Sequence, residues 1–262
     1  MNSLQKAMRL TCIPEYRDRL FDIKYRLRMF FRNVSLFEKH LKDCNAIVAG
    51  SLVLQSTIGV EFEGPYTLKV FLTRDTEYEA LMSFIEHVEK LKKAKSYRRY
   101  THLVPPTRYA PGDRNIPHTS DIQIWQHMET SSFSDMYMCN FVATFYKSNG
   151  CRVQVIEMQE TNHEDYIEEF YLSGLKTFYD GTRIYINDWG LTIQNKMRFE
   201  GSILDIGVIH VSQIIKKYLK RGFTIMFYFE DYFCLESVNR RIYYHGIQLH
   251  YEEDSQYVFK IQ

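Results

Sequence analysis

The stretch Asn45-Ala46-Ile47-Val48-Ala49-Gly50-Ser51-Leu52-Val53-Leu54-Gln55 sets a run of apolar residues ahead of a Gly-Ser pair and resumes apolar behind it. Ala46 to Ala49 reads as a short buried strand stopped by Gly50-Ser51, and Leu52 to Gln55 as a helical turn. Upstream, from Ile13 to Leu41, apolar residues recur at Leu20, Ile23, Leu27, Phe30, Phe31, Val34, Phe37 and Leu41. That spacing of threes and fours predicts a long N-terminal amphipathic helix, with a candidate break near Asn33–Ser35. Downstream, past Glu63-Gly64-Pro65, the residues Tyr66 to Leu72 alternate as a strand with one polar face. Thr76-x-x-Glu79 has capping-box spacing and predicts a helix with Tyr78, Leu81, Met82, Ile85, Val88 and Leu91 on its apolar face.

Between Lys90 and Arg108 stand Lys90, Lys92, Lys93, Lys95, Arg98, Arg99 and Arg108, with no acidic residue among them. They suit either a solvated helix end at the negative pole of the macrodipole or a groove for phosphates, which the interleaved Tyr97 and Tyr100 would serve. Prolines 105, 106, 111 and 117 then mark a surface loop from about Leu103 to Ser120. Met136–Tyr146 and Arg152–Glu157 read as strands joined through Lys147-Ser148-Asn149-Gly150, a hairpin signal. Asn162-His163-Glu164-Asp165 opens a helix, Thr182–Ile186 is a short strand, and Ile206–Leu219 is a second helix stopped by Gly222. Ile242 to Ile261 alternates as one or two closing strands.

The 262 residues suffice for a sizeable core without staples. The five cysteines are an odd number with no CxxC pair, so they read as reduced thiols. No histidine spacing suggests a structural metal. No apolar run has spanning length and the first twenty residues lack a signal-peptide core, so the expected compartment is the cytosol, with no membrane partner. With 33 Lys+Arg against 32 Asp+Glu, bulk charge gives no sign of nucleic-acid binding, although the basic run shows a local asymmetry. Aromatic residues reach 15%, with 20 Tyr and 18 Phe. The phenylalanines fall mostly on apolar faces, whereas tyrosines crowd the C-terminal part, where amphipathic rings suit a contact surface.

The order of these elements resembles the nucleotidyltransferase fold of the polymerase-β superfamily, and within it the divergent nucleotidyltransferase-like proteins of fungi and large DNA viruses. The residues that carry the resemblance are Ala49-Gly50-Ser51-Leu52-Val53-Leu54-Gln55, Tyr66 to Leu72, Val153-Gln154-Val155-Ile156, and Lys217-Tyr218-Leu219-Lys220-Arg221-Gly222-Phe223. The resemblance implies an α+β fold, a mixed sheet flanked by helices, with the N-terminal long helix and a C-terminal β-rich extension. It divides the chain into a helical segment 1–44, a nucleotidyltransferase-like domain 45–225, and C-terminal strands 226–262 packed on the same body.

The resemblance also implies a site. Gly50 and Ser51 would cradle phosphates at a helix start, and two aspartates two residues apart would hold divalent metals in one cleft. Counting from Ser51, those aspartate positions fall on Thr67-Leu68-Lys69. A lysine there sets a positive charge where metals belong, so no catalytic residue, metal or cofactor is expected. The functional expectation is a degenerate nucleotidyltransferase-like module that binds a protein partner or a nucleic acid. Lys69 would neutralise a phosphate or pair with Glu157. The alternative is an active transferase with Mg²⁺ and a nucleoside triphosphate, using Glu61, Glu63 and Glu157. Glu61 and Glu63 have the two-residue spacing but precede Gly64-Pro65, outside the strand. In the Lys217–Phe223 motif, Gly222 reads as a helix stop and the basic residues as partners of the helix dipole.

Overall fold

A computed structural model describes residues 21–63, 66–73, 78–98, 139–158, 162–201, 209–228, 242–244, 247–251 and 256–261. Outside these lie Thr76 of the capping box, the proline-marked loop, Arg99 and Arg108.

The N-terminal segment is broken where the sequence offered a break, at Asn33. From residue 21 onward it forms two helices, α1 (Ile23–Leu27) and α2 (Val34–Asp43). Two carboxylate contacts hold the turn just ahead of the second helix. Glu89 accepts the backbone N–H groups of Arg32 (2.8 Å) and Asn33 (2.9 Å), and the Asn33 side chain caps α2 by accepting from Leu36 N at 3.0 Å. The break lets Phe31 fold back on Phe37, with ring centroids 4.1 Å apart.

Strand β1 (Ile47–Ala49) runs into α3 (Ser51–Ile58), more than two turns long where a single turn was expected. Next come β2 (Thr67–Leu72), α4 (Glu79–Ser83) continued by a π-helical turn Phe84–Val88, β3 (Lys92–Arg98), β4 (Cys139–Tyr146), β5 (Arg152–Met158) and α5 (His163–Glu168). β6 (Phe178–Tyr179), β7 (Ile184–Tyr185), α6 (Trp189–Thr192), β8 (Lys196–Arg198) and α7 (Ile209–Lys220) follow. The chain closes with β9 (Thr224–Tyr228), β10 (Ile242–Tyr244), β11 (Ile247–Tyr251) and β12 (Gln256–Ile261).

Two sheets result. The larger has the order β3-β4-β5-β2-β1-β6-β7, antiparallel throughout except for the parallel pair β2/β5. This is a mixed α+β arrangement, a mixed sheet flanked by helices. The C-terminal strands do not join that sheet. They build a second one, β10-β11-β12-β9-β8, and the expected boundary at 225/226 falls inside β9.

Period-2 alternation sorts the larger sheet into two faces. Leu68, Val70 and Leu72 of β2, with Val153 and Val155 of β5, pack with Phe30, Phe31 and Phe37 into the main core. Phe71, Ile156 and Val142 point to the other face, where Tyr166 and Ile167 of α5 cover them. A third cluster joins Leu54 and Phe62 to Val211, Ile215 and Tyr218 of α7 and to Ile225, Phe227 and Phe259 of the small sheet. Helix α3 contributes Leu52 and Val53 to the main core and Leu54 to this third cluster, so it is the joint between the two sheets.

Candidate functional site

Gly50 links β1 to α3 with φ +91° and ψ −156°, a backbone region that only glycine occupies without strain. Ser51 then opens the helix, whose first N–H groups have no intrahelical acceptor. The turn expected to cradle a phosphate is therefore formed as the sequence reading had it. Its serine is already engaged, however. The Tyr218 hydroxyl of α7 shares a hydrogen bond with the Ser51 side chain and accepts another from the Arg221 guanidinium. Burial pushes the Tyr218 phenol up to about 12, against the pull of the Arg221 charge and of these two hydrogen bonds.

Arg221 corrects an expectation. Gly222 does stop α7, with φ +86°, but Arg221 turns inward rather than serving the helix dipole. Its guanidinium stacks 4.2 Å from the Phe62 ring and 5.1 Å from the Tyr218 ring, and burial lowers its pKa. One of its nitrogens, Nη1, is buried without a hydrogen-bond partner. Sequence reasoning missed Tyr218 and Arg221 as site residues. The available signal was their i, i+3 spacing, which sets both on one helix face.

At the aspartate positions implied by the resemblance, Thr67 and Lys69 lie on the same face of β2 as Phe71, one strand from the Gly-Ser turn: Ala49 pairs with Lys69. In the parallel register with β5, Thr67 stands beside Arg152 and Lys69 beside Gln154. Arg152 Nε donates to Thr67 Oγ1 at 3.2 Å, and Gln154 Nε2 reaches Thr144 Oγ1 at 3.5 Å. This face thus offers two cations, two hydroxyls and an amide. Divalent ions want carboxylate oxygens, and fixed positive charge repels them, so these residues do not fit a two-metal centre.

Glu157 is not on this face. It pairs with Leu72, a main-core residue, and the Tyr78 hydroxyl donates to it at 3.4 Å on the helix-covered side. The expected pairing of Lys69 with Glu157 is therefore overturned, because successive strand residues point to opposite faces. Glu61 accepts from the Tyr66 hydroxyl at 3.0 Å, and Glu63 is exposed; both precede β2, so the structure does not unite Glu61, Glu63 and Glu157. Among the described residues no group of three His, Cys, Asp or Glu side chains could hold a metal ion.

The basic run is not a helix end. Lys90 adopts φ +56° after the π-helical turn, and Lys92, Lys93, Lys95 and Arg98 lie on β3 at the rim of the larger sheet. Lys93 bridges to Glu86 at 3.2 Å. A tethered β pairing with β4 overrode the helical pattern of Lys90 to Lys95.

No family model matches the chain, and no curated protein matches it. Solved structures that it resembles include a CCA-adding enzyme in complex with CTP, at 10% identity and TM-score 0.41, covering 72% of this chain and 39% of that one. An apo form of a CCA-adding enzyme is similar at 11% identity and TM-score 0.42, covering 76% and 41%, and a complex with ATP at 11% and 0.41, covering 76% and 38%. The chain thus spans about two fifths of the length of those enzymes. The nucleotidyltransferase-like reading of the fold rests on strand order, register and the Gly-Ser turn.

Proposed function

We propose that this protein is a nucleotidyltransferase-like module that has given up metal-dependent transfer and binds a partner instead. A single observation carries the reading. The strand face that would present metal ligands beside Gly50-Ser51 presents Thr67, Lys69, Arg152 and Gln154, with the nearest β5 carboxylate, Glu157, on the opposite side. The engaged Ser51 supports it further, since Tyr218 already takes up one of the hydrogen bonds that this hydroxyl can make. Kinship with the divergent proteins of fungi and large DNA viruses belongs to the same proposal and rests on motif order. The test is incubation with labelled nucleoside triphosphates and Mg²⁺ or Mn²⁺, in the presence of RNA and protein acceptors. No incorporation above background is expected. Incorporation that disappears in Glu61→Gln or Glu63→Gln overturns the reading and restores an active transferase.

A further inference from the structure

The face of the larger sheet that carries Thr67 and Lys69 holds more than these two positions beside the Gly-Ser turn. Strand register aligns two cross-strand rows at its polar end. In the first, Lys92 on β3 stands opposite Tyr146 on β4, Tyr146 opposite Arg152 on β5, and Arg152 beside Thr67 on β2. In the second, Lys95 stands opposite Thr144, Thr144 opposite Gln154, and Gln154 beside Lys69. The row beyond them, Val142, Ile156 and Phe71, is the one that α5 covers. With strands about 4.8 Å apart, the two rows span about 14 Å from β3 to β2.

The chemistry of these rows is one-sided. Eight positions carry four cations, two threonine hydroxyls, one amide and one tyrosine, and no carboxylate. Tyr146 is 40% exposed, a large ring left at the surface. Lys92 is exposed, Thr67, Lys69, Thr144 and Arg152 are half-buried, and Gln154 is buried between them. The hydrogen bond from Arg152 Nε to Thr67 Oγ1 holds the guanidinium against the sheet. A basic track with an aromatic platform is the recognition chemistry of single-stranded nucleic acid, in which phosphates meet the cations and a base stacks on the ring. Protein–protein contacts are depleted in lysine, whereas three of the four cations here are lysines, Lys69, Lys92 and Lys95. We propose that this sheet face binds single-stranded nucleic acid, with its backbone crossing Lys92, Arg152 and Lys69 and a base on Tyr146. This assignment rests on the binding-module reading and names its partner class.

Adjacent residues of β3 supply an internal control. Lys93 pairs with Phe145, a main-core residue, and so lies on the helix-covered face with its bridge to Glu86. Lys92→Gln and Lys93→Gln remove the same charge from opposite faces. The measurement is fluorescence anisotropy with labelled oligonucleotides of about twelve nucleotides, as RNA and as DNA of one sequence, over a series of salt concentrations. Expected is a log affinity that falls with log salt with a slope of about −2 to −3, from about 0.7 for each of three or four neutralised phosphates. Lys92→Gln weakens binding several-fold and flattens that slope, and Lys93→Gln leaves both unchanged. Tyr146→Ala weakens binding about tenfold without altering the slope, because stacking is not ionic. Tighter binding of the RNA or of the DNA names the strand and supports the assignment in either case. Equal losses from the two lysine variants, or no binding of either oligonucleotide, overturn it. Nucleotide incorporation is read separately: its appearance overturns the binding-module reading, whereas absent oligonucleotide binding without incorporation overturns this assignment alone.

Discussion

His163 shows how burial turns one residue into a pH-dependent contribution to stability. It is the first residue of α5, buried against β2, with a hydrogen bond to the Phe71 backbone and with Nε2 buried and unpartnered. Desolvation lowers its pKa below the ordinary value, against the pull of that backbone bond. His40 is lowered too, first by desolvation, with Asp43 raising it and Lys39 lowering it, and its ring lies 5.1 Å from Phe84. Both rings are favoured neutral in the folded state, so below about pH 6.5 the unfolded chain binds more protons. The stability they contribute is whole above about pH 6.5 and is lost as pH falls through their folded values. Urea midpoints measured from pH 8 down to pH 5 are therefore expected to fall. His163→Gln, which keeps a donor for the Phe71 backbone but does not titrate, is expected to flatten that fall. An unchanged slope in the variant would assign the acid sensitivity elsewhere.

At the scale of elements, α3 is held at both ends by neighbours distant in sequence. Its start meets Tyr218 of α7; its end is gripped by Arg26 of α1, a side chain only 2% exposed. Arg26 donates to Gln55 Oε1 at 3.3 Å, to the Gln55 carbonyl at 3.2 Å and to the Val60 carbonyl at 2.5 Å. The Gln55 carbonyl also accepts from the Gly59 and Val60 N–H groups that close the helix, and Gln55 Oε1 also accepts from Phe62 N, so the guanidinium joins the C-terminal turn of α3, at the negative end of its dipole, to the segment that follows. Gly59 closes the helix with φ +65°, and a methyl group there would meet the Phe21 ring. Arg26→Met keeps bulk but removes all three of these buried charge-assisted hydrogen bonds, and is expected to destabilise the fold by about 3 kcal/mol. Chemical denaturation measures it. A loss below about 1 kcal/mol would mean that water replaces the guanidinium at the helix end.

For the whole molecule, the two sheets share a core through α3, so the C-terminal strands complete a body begun upstream. β9 lies between β8 and β12 in the small sheet. Phe199, Ile225, Phe227 and Phe259 close over one another there, with Phe199 and Phe259 centroids 5.7 Å apart. A chain ended at residue 225 would leave much of this cluster open to water, so it is expected to aggregate or bind a hydrophobic dye, where the full chain does not. A soluble, compact shortened chain would make the last strands an independent addition. Much of the architecture was legible locally. The Asn149-Gly150 hairpin, the Gly-Ser turn, the Asn162 cap of α5 and the stop at Gly222 appear where short-range residue chemistry put them. So does the absence of carboxylates at Thr67 and Lys69, because strand alternation is a property of the backbone. What the sequence could not fix depends on contacts between distant segments: Glu89 holding the turn ahead of α2, β4 drawing the lysine run into a strand, and Tyr218 reaching Ser51. Sequence by itself determined which residues can start, stop or alternate, since those preferences lie within a few neighbouring residues. Only the tertiary structure decided which faces meet, because burial and register are shared between segments far apart in the chain, and so it alone set Lys92, Arg152 and Lys69 on one surface and Glu157 on the other.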